Sequence, residues 1–212
     1  MTRPSRGMSP AEAWAALREG NQRFVRGEMA HPSQDADQRA RIAAAQYPFA
    51  VIFGCSDSRV AAEIIFDQGL GDVFVVRTAG HVVDTSVLGS IEYGVEVLGA
   101  PLVVVLGHAS CGAVEAANRS LITGERPTGF VRAIVDRVIP SIVGRPADRP
   151  DASGETDQPV VLREHVRTTV HMLHSYSAAL AAAVAEGRCA VVGAEYALSH
   201  GDVSVVETLG NV

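Results

Sequence analysis

Two thiols and one imidazole occur in this chain at positions that suit a metal ion. Cys55 opens the run Cys55-Ser56-Asp57-Ser58-Arg59, and a second run, His108-Ala109-Ser110-Cys111-Gly112, lies further along. Thiolates and imidazoles are ligands that zinc takes in tetrahedral sites, and a structural site is closed by a fourth Cys or His. No fourth ligand is evident here. Instead an acid and a base, Asp57 and Arg59, follow the first thiol at two and four residues. Three protein ligands with a polar neighbour describe a catalytic zinc, one per subunit, whose remaining position holds water.

Each residue alone has a plainer reading. A buried cysteine is usually a small hydrophobe, and a histidine at a strand end is often a satisfied polar group. Joint placement after two apolar strands favours the metal. Gly112 would allow the close turn that aims His108 and Cys111 at one point, and a helix starting near Ser110 would present amides that favour a thiolate. Asp57 and Arg59 could be an exposed ion pair worth about 0–1 kcal/mol. The functional reading is a carboxylate held off the metal by a bidentate guanidinium. Cys189 sits in an apolar run and reads as core. His165, His171 and His174 fall on a predicted helix; His171 and His174 share a face at metal-compatible spacing, but no acid or thiol accompanies them, which suits a solvated or interface role.

The elements that must position these residues follow from the hydrophobic pattern. Ser9-Pro10-Ala11-Glu12 is a capping box with proline at the first helical position. It predicts a helix to about Arg26, with Ala11, Trp14, Leu17 and Phe24 near one face, inside an N-terminal arm over residues 1–30 that packs on a partner subunit. A loop over His31–Asp37 and a short helix before Gln46 come next. Continuous apolar runs at 49–53, 73–76, 102–106 and 189–193 read as buried parallel strands. Helices are predicted over about 84–98 and 161–185. The fold class is α/β, a central, mainly parallel sheet flanked by helices, in a single domain over 1–212. Ligands gather at the carboxyl ends of such strands, where Cys55 and His108 stand. Residues 144–159, rich in Pro, Asp and Gly, read as a surface loop.

Bulk composition excludes several classes. With 212 residues, 47% hydrophobic and 20% charged, the chain is a globular domain and not a disordered one. A net charge of −6 argues against nucleic-acid binding. No run approaches the ~20 apolar residues of a membrane span, and three cysteines with no secretory signal argue against a disulfide framework. The expected setting is soluble and cytoplasmic.

Cys-Ser-Asp-Ser-Arg-Val at 55–60, joined to His-Ala-Ser-Cys-Gly at 108–112, resembles the two signature segments of the β-class carbonic anhydrases, in particular plant-type-like bacterial members. Val75–Gly80, Ser90–Gly94 and the 193–201 tail extend the likeness over roughly residues 10–210. The resemblance implies a zinc lyase that reversibly hydrates carbon dioxide to bicarbonate and a proton, with zinc on Cys55, His108 and Cys111 activating water as the nucleophile. Asp57 would orient that water, and Arg59 would keep Asp57 ionised and off the metal. Gln46 matches a glutamine that bonds the substrate oxygen. Phe74, Ala79 and Tyr93, with Gly112, match a small apolar substrate pocket whose helix-borne aromatic crosses a dimer interface; core packing is the plainer role for Phe74 and Tyr93. Self-association as a dimer, or a dimer of dimers, is implied.

Some bacterial members also hold a non-catalytic bicarbonate with a Trp, an Arg and a Tyr. Arg77 and Tyr196 match two of these, but Ile52 stands in place of the Trp, so that regulation is not expected. Gly54 is expected to leave room for Asp57 to swing onto zinc at low pH, and His81 is a candidate proton shuttle. Two alternatives share the ligand set: a carbon disulfide or carbonyl sulfide hydrolase on the same fold, and a non-catalytic zinc-binding sensor.

Overall fold

The structure is a computed structural model and describes residues 7–143 and 158–212. Its centre is a five-stranded sheet in the order β2-β1-β3-β4-β5. The strands are β1 (Ala50–Cys55), β2 (Val73–Thr78), β3 (Leu102–His108), β4 (Ala190–Tyr196) and β5 (Val203–Leu209). The first four are parallel, and β5 runs antiparallel to β4. The four apolar runs are the four parallel strands, as expected. β5 was not anticipated.

The helices are α1 (Pro10–Arg26), α2 (Ala36–Ile42), α3 (Ala62–Ile65), α4 (Thr85–Glu92), α5 (Gly112–Thr123), α6 (Val131–Val143), α7 (Gln158–Tyr176) and α8 (Ala178–Ala185). β1 and β3 are buried along their whole length because both faces of the sheet are covered. Val51, Phe53, Val103 and Val105 point into one core with Val114, Val138, Val166 and Leu180. Ile52, Val104 and Leu106 point into the other with Trp14, Leu17, Ile65 and Phe66. Each large side chain so buried stabilises by roughly 1.5–3 kcal/mol before entropy is counted.

Strand order places the site. From β1 the chain moves to β2 on one side, then returns to add β3 on the other. The carboxyl ends of β1 and β3 therefore flank the point where strand order reverses, the crevice in which open α/β sheets bind ligands.

Several expectations need correcting. The capping box is present, with Ser9 N donating to Glu12 Oε2 at 2.7 Å and Glu12 N to Ser9 Oγ at 3.2 Å. α1, however, lays Trp14 and Leu17 on the chain's own core, and Ala11 is exposed. The helix predicted over 161–185 is two helices. Ser177 leaves helical geometry and caps α8, accepting from Leu180 N at 3.0 Å while its hydroxyl donates to Glu92 at 2.6 Å. The helix predicted over 84–98 is α-helical only to Glu92. It ends in a π turn, Tyr93–Val97, in which Leu98 N donates to Tyr93 O at 3.0 Å. Of the loop expected at 144–159, residues 144–157 lie outside the described residues, and 158–159 belong to α7.

Candidate metal centre

β1 ends on Cys55 and β3 ends on His108, and their ends are neighbours because the strands pair. Cys111 is the N-cap of α5. The reversal that brings Cys111 back to His108 is made at Ser110, whose φ of 52° is left-handed. Gly112, expected to supply that turn, does not: it opens α5 with ordinary φ and is exposed, with open space where a Cβ would stand.

The three ligand atoms lie within 4.8 Å of one another, and all three residues are buried. Cys55 Sγ and Cys111 Sγ are 4.0 Å apart. His108 Nδ1 is 2.9 Å from the Ala109 carbonyl, which can only accept, so Nδ1 carries the proton and Nε2 the lone pair. Nε2 is buried without a hydrogen-bond partner among the described residues. An orphaned lone pair facing two thiols is what a soft divalent ion satisfies, and the donor set fits zinc. The Cys55 thiol is drawn down from its ordinary range, chiefly because the Cys111 thiol donates to it, with the Gly80 N–H adding to the effect. Cys111 is pushed up by the same sharing and by burial, while the amides of Val114 and Ala113 in the first turn of α5 oppose this. The helix expected near Ser110 thus favours the thiolate as anticipated.

Asp57 lies beside this set. Arg59 grips it through both oxygens, Nε to Oδ1 at 2.9 Å and Nη2 to Oδ2 at 2.7 Å, and Arg59 N also donates to Oδ1 at 2.9 Å. Those bonds hold the Asp57 carboxyl well below the usual carboxylate range. Its Oδ2 stands 3.9 Å from His108 Nε2, near the ligands but held by the guanidinium. Arg59 Nη2 also reaches the Ser110 carbonyl at 3.3 Å, tying the two signature segments together. Arg77 adds a clamp from β2, with Nε to Cys55 O at 2.9 Å and Nη2 to Asp57 O at 2.7 Å. A side chain on Gly54 would stand 3.5 Å from the Leu106 carbonyl oxygen, an ordinary contact with β3.

The remaining expected residues separate into two groups. Ala79, exposed directly after β2, and Gly112 border the ligands of their own chain. Phe74 pairs in register with Val51 while Thr78 pairs with Cys55, so Phe74 stands four residues, roughly 13 Å, back along the strand. Its ring is 6.1 Å from that of Tyr93, which is 45% exposed. Gln46 is exposed in the segment before β1. A cavity of about 180 Å³ lies beside the ligand loop, between Cys111, Val114, Leu162 and Glu195.

Histidines depart most from expectation. His81 is fully buried, so it cannot pass protons to solvent, and neither ring nitrogen has a partner among the described residues. His165 is buried. His171 is exposed, 3.9 Å from Glu207, and His174 is half-buried. Cys189 is core as expected, its thiol pushed up to about 12 by burial.

Residues 50–203 match a family model described as carbonic anhydrase. Carbonic anhydrase 2 of Mycobacterium tuberculosis is 53% identical over 204 residues, covering 96% of this chain and 96% of that protein. Among solved structures, a Coccomyxa β-carbonic anhydrase in complex with acetazolamide aligns with a TM-score of 0.73 at 24% identity, over 91% of this chain and 86% of that one. One of two tetrameric β-carbonic anhydrases from Sordaria macrospora aligns with a TM-score of 0.68 at 24% identity, over 78% and 84%. At that identity the last two speak to the fold.

Proposed function

The chain belongs to the β class of the carbonic anhydrase family, and from that footing we propose how its residues divide the work of hydrating carbon dioxide. The enzyme interconverts carbon dioxide and water with bicarbonate and a proton, and its cofactor is zinc. Bound by Cys55, His108 and Cys111, the ion supplies the Lewis acidity that brings deprotonation of water toward neutral pH.

Asp57 is the acceptor that orients the attacking water. Because Arg59 keeps it ionised, it can only accept, and a water that donates to it turns a lone pair toward the substrate carbon. Arg59 also keeps the carboxylate off the metal, which a free carboxylate could ligate. Arg77 fixes the backbone on either side of Ser56, so the acceptor and the first ligand move as one unit.

Carbon dioxide is linear and without net dipole, so it needs a small apolar surface and one donor to aim it. Ala79 and Gly112 present that surface beside their own ligands. Gln46 is the donor that aims the substrate oxygen, and Phe74 and Tyr93 serve the site of a second copy: Phe74 is too far back along β2 to reach its own Cys55, and the exposed Tyr93 ring lies against it. The reading therefore includes a homodimer as the smallest active unit and a dimer of dimers as the assembly, with the whole chain as one domain. The tetrameric Sordaria enzymes support the larger assembly. A cytoplasmic setting belongs to the same reading, since thiols this close need a reducing compartment to stay free for a metal. No helix among the described residues is long and apolar enough to cross a membrane.

The observation that carries the proposal is the meeting of three buried ligand atoms beside a carboxylate locked by a guanidinium. Stopped-flow hydration with zinc-loaded and chelator-stripped protein tests it. Activity should vanish with the metal and return on adding zinc back. Cys111→Ala should lose metal and stability together, because binding is coupled to folding. Undiminished turnover by stripped protein would end this reading.

A further inference from the structure

We propose that His165, oriented by Ser141, is a positioning residue for the metal centre: through Gly80 it holds the turn that donates a hydrogen bond to the Cys55 sulfur. The inference rests on the reading of Cys55 as a ligand. It concerns residues on α6 and α7 that no part of the mechanism above uses.

The chain of contacts begins at the sulfur. Gly80 N–H donates to Cys55 Sγ at 3.3 Å. Gly80 has a φ of 64° and His81 a φ of 41°, two consecutive left-handed residues of which the second is not glycine. A bulky residue rarely adopts that region unless its surroundings enforce it. Here they do. The Gly80 carbonyl accepts from His165 Nε2 at 2.8 Å. A carbonyl has no proton to give, so Nε2 bears the hydrogen, and Nδ1 of the neutral ring accepts from the Ser141 hydroxyl at 2.9 Å. His165 is 2% exposed and Ser141 3%, so water does not compete for either bond. The His81 ring rests on the His165 ring with centroids 4.3 Å apart. From the other side α5 closes the turn, since a Cβ on Gly80 would stand 2.7 Å from the Ala113 Cβ.

The turn is thus clamped between α7 and the first residues of the helix that Cys111 caps. The Gly80 carbonyl and N–H belong to different peptide units, so the coupling is mechanical: fixing one plane fixes the other across a single Cα. A donor to a ligand sulfur draws electron density from it, leaving a bound metal the stronger Lewis acid. With two thiolates donating to one ion, that withdrawal matters more than at an all-imidazole site.

Three variants decide the matter: His165→Leu removes the donor, Ser141→Ala frees the ring to choose its tautomer, and His165→Gln restores a donor and an acceptor. Each is loaded with cobalt(II), and the thiolate-to-metal charge-transfer band is recorded beside zinc affinity by chelator competition. His165→Leu should move the band to lower energy and weaken zinc about 10–100-fold, the usual range for a lost outer partner of a metal ligand. The acid limb of kcat/KM should move to higher pH. Ser141→Ala should shift the band the same way by less, and His165→Gln should return it toward the parent. If His165→Leu does not fold, the Ser141→Ala and His165→Gln pair still decides. Variants that lose stability but keep the parent band position and zinc affinity would overturn the proposal. A parent protein that takes up cobalt without any thiolate band would instead sink the ligand assignment itself, a different failure.

Discussion

Replacing Asp57 by Asn separates the chemistry of this site from its architecture. Asn keeps the size of the side chain and one oxygen but loses the second acceptor. Arg59 uses both oxygens, with Nε and its own backbone N–H on Oδ1 at 2.9 Å and Nη2 on Oδ2 at 2.7 Å. An Asn turned to keep the first two contacts presents an NH2 group to Nη2, a donor facing a donor. A charge-assisted bond of this kind is worth roughly 1.5–3 kcal/mol. The Arg59 side chain is 53% exposed, however, so water takes over much of what is lost. The net cost should be about 1 kcal/mol or less, a fall of about 2–4 °C in Tm for a chain of this size. Activity should respond on another scale. A positioned acceptor of this type contributes about 10²–10⁴-fold in rate, or about 2.7–5.4 kcal/mol of barrier. Metal analysis, a thermal melt and stopped-flow hydration on one preparation should find zinc retained, the melt little changed and kcat/KM down at least about 100-fold. Full turnover in the zinc-loaded variant would remove Asp57 from the mechanism. Loss of zinc with a large drop in stability would show that it belongs to the ligand set.

Mixing Asp57→Asn with Tyr93→Ala chains tests the shared pocket, because a mixed dimer puts both lesions in one site and leaves the other intact. Equal amounts should recover about a quarter of parental activity if chains exchange freely across a two-fold interface; activity no higher than the sum of the two variants would mean that Tyr93 serves its own chain. Burial holds His81 and His165 below their ordinary pKa, with neighbouring imidazoles adding to the effect at His81. The unfolded chain therefore binds more protons than the fold beneath about pH 6.5, so stability is full above that pH and declines below it, by up to about 1.4 kcal/mol per pH unit for each ring. Urea midpoints at pH 7.5 and 5.5 should show a smaller decline for His81→Leu than for the parent; equal declines would refute the role of His81. Asp67 is buried and accepts from Arg23, Ala30 N and His31 N. Asp67→Ala should cost about 3–5 kcal/mol in urea unfolding, nearer the lower figure because Arg23 is 30% exposed, and a cost below about 1 kcal/mol would contradict the pairing.

The metal ligands and the Asp57–Arg59 pair were legible because each depends on residue type and a short spacing. The four parallel strands were legible because burial on both faces leaves an unbroken apolar run. β5 was not, for the opposite reason. As an edge strand its residues 203–209 are half-buried or exposed, and Ser204, Glu207 and Thr208 break any run. The split between α7 and α8 was hidden because Ser177 follows a strongly helical stretch and its capping role depends on Glu92, 85 residues away. Nothing marked His165 as buried, because helical periodicity alone does not say which face a helix turns to the sheet. Its partners, Gly80 and Ser141, come from distant segments. The left-handed Ser110 illustrates a different limit: tertiary contacts imposed on an ordinary residue a conformation that sequence reasoning assigns to its glycine neighbour.

The wide turn at Tyr93–Val97 carries a consequence for how this surface can vary through evolution. Each residue of a helix advances the chain by about 100°, and the stretch is pinned at both ends, by Glu92 bonded to Ser177 and by Ala100 N bonded to Gly94 O. Gly94 itself abuts Val51 so closely that no side chain fits there. Losing or gaining one residue between these pins would turn the side chains beyond it by about 100° and break one of the two contacts. A stretch that reaches the surface at Tyr93, Glu96 and Val97 is thus fixed in length, and drift there should proceed by exchange of side chains alone.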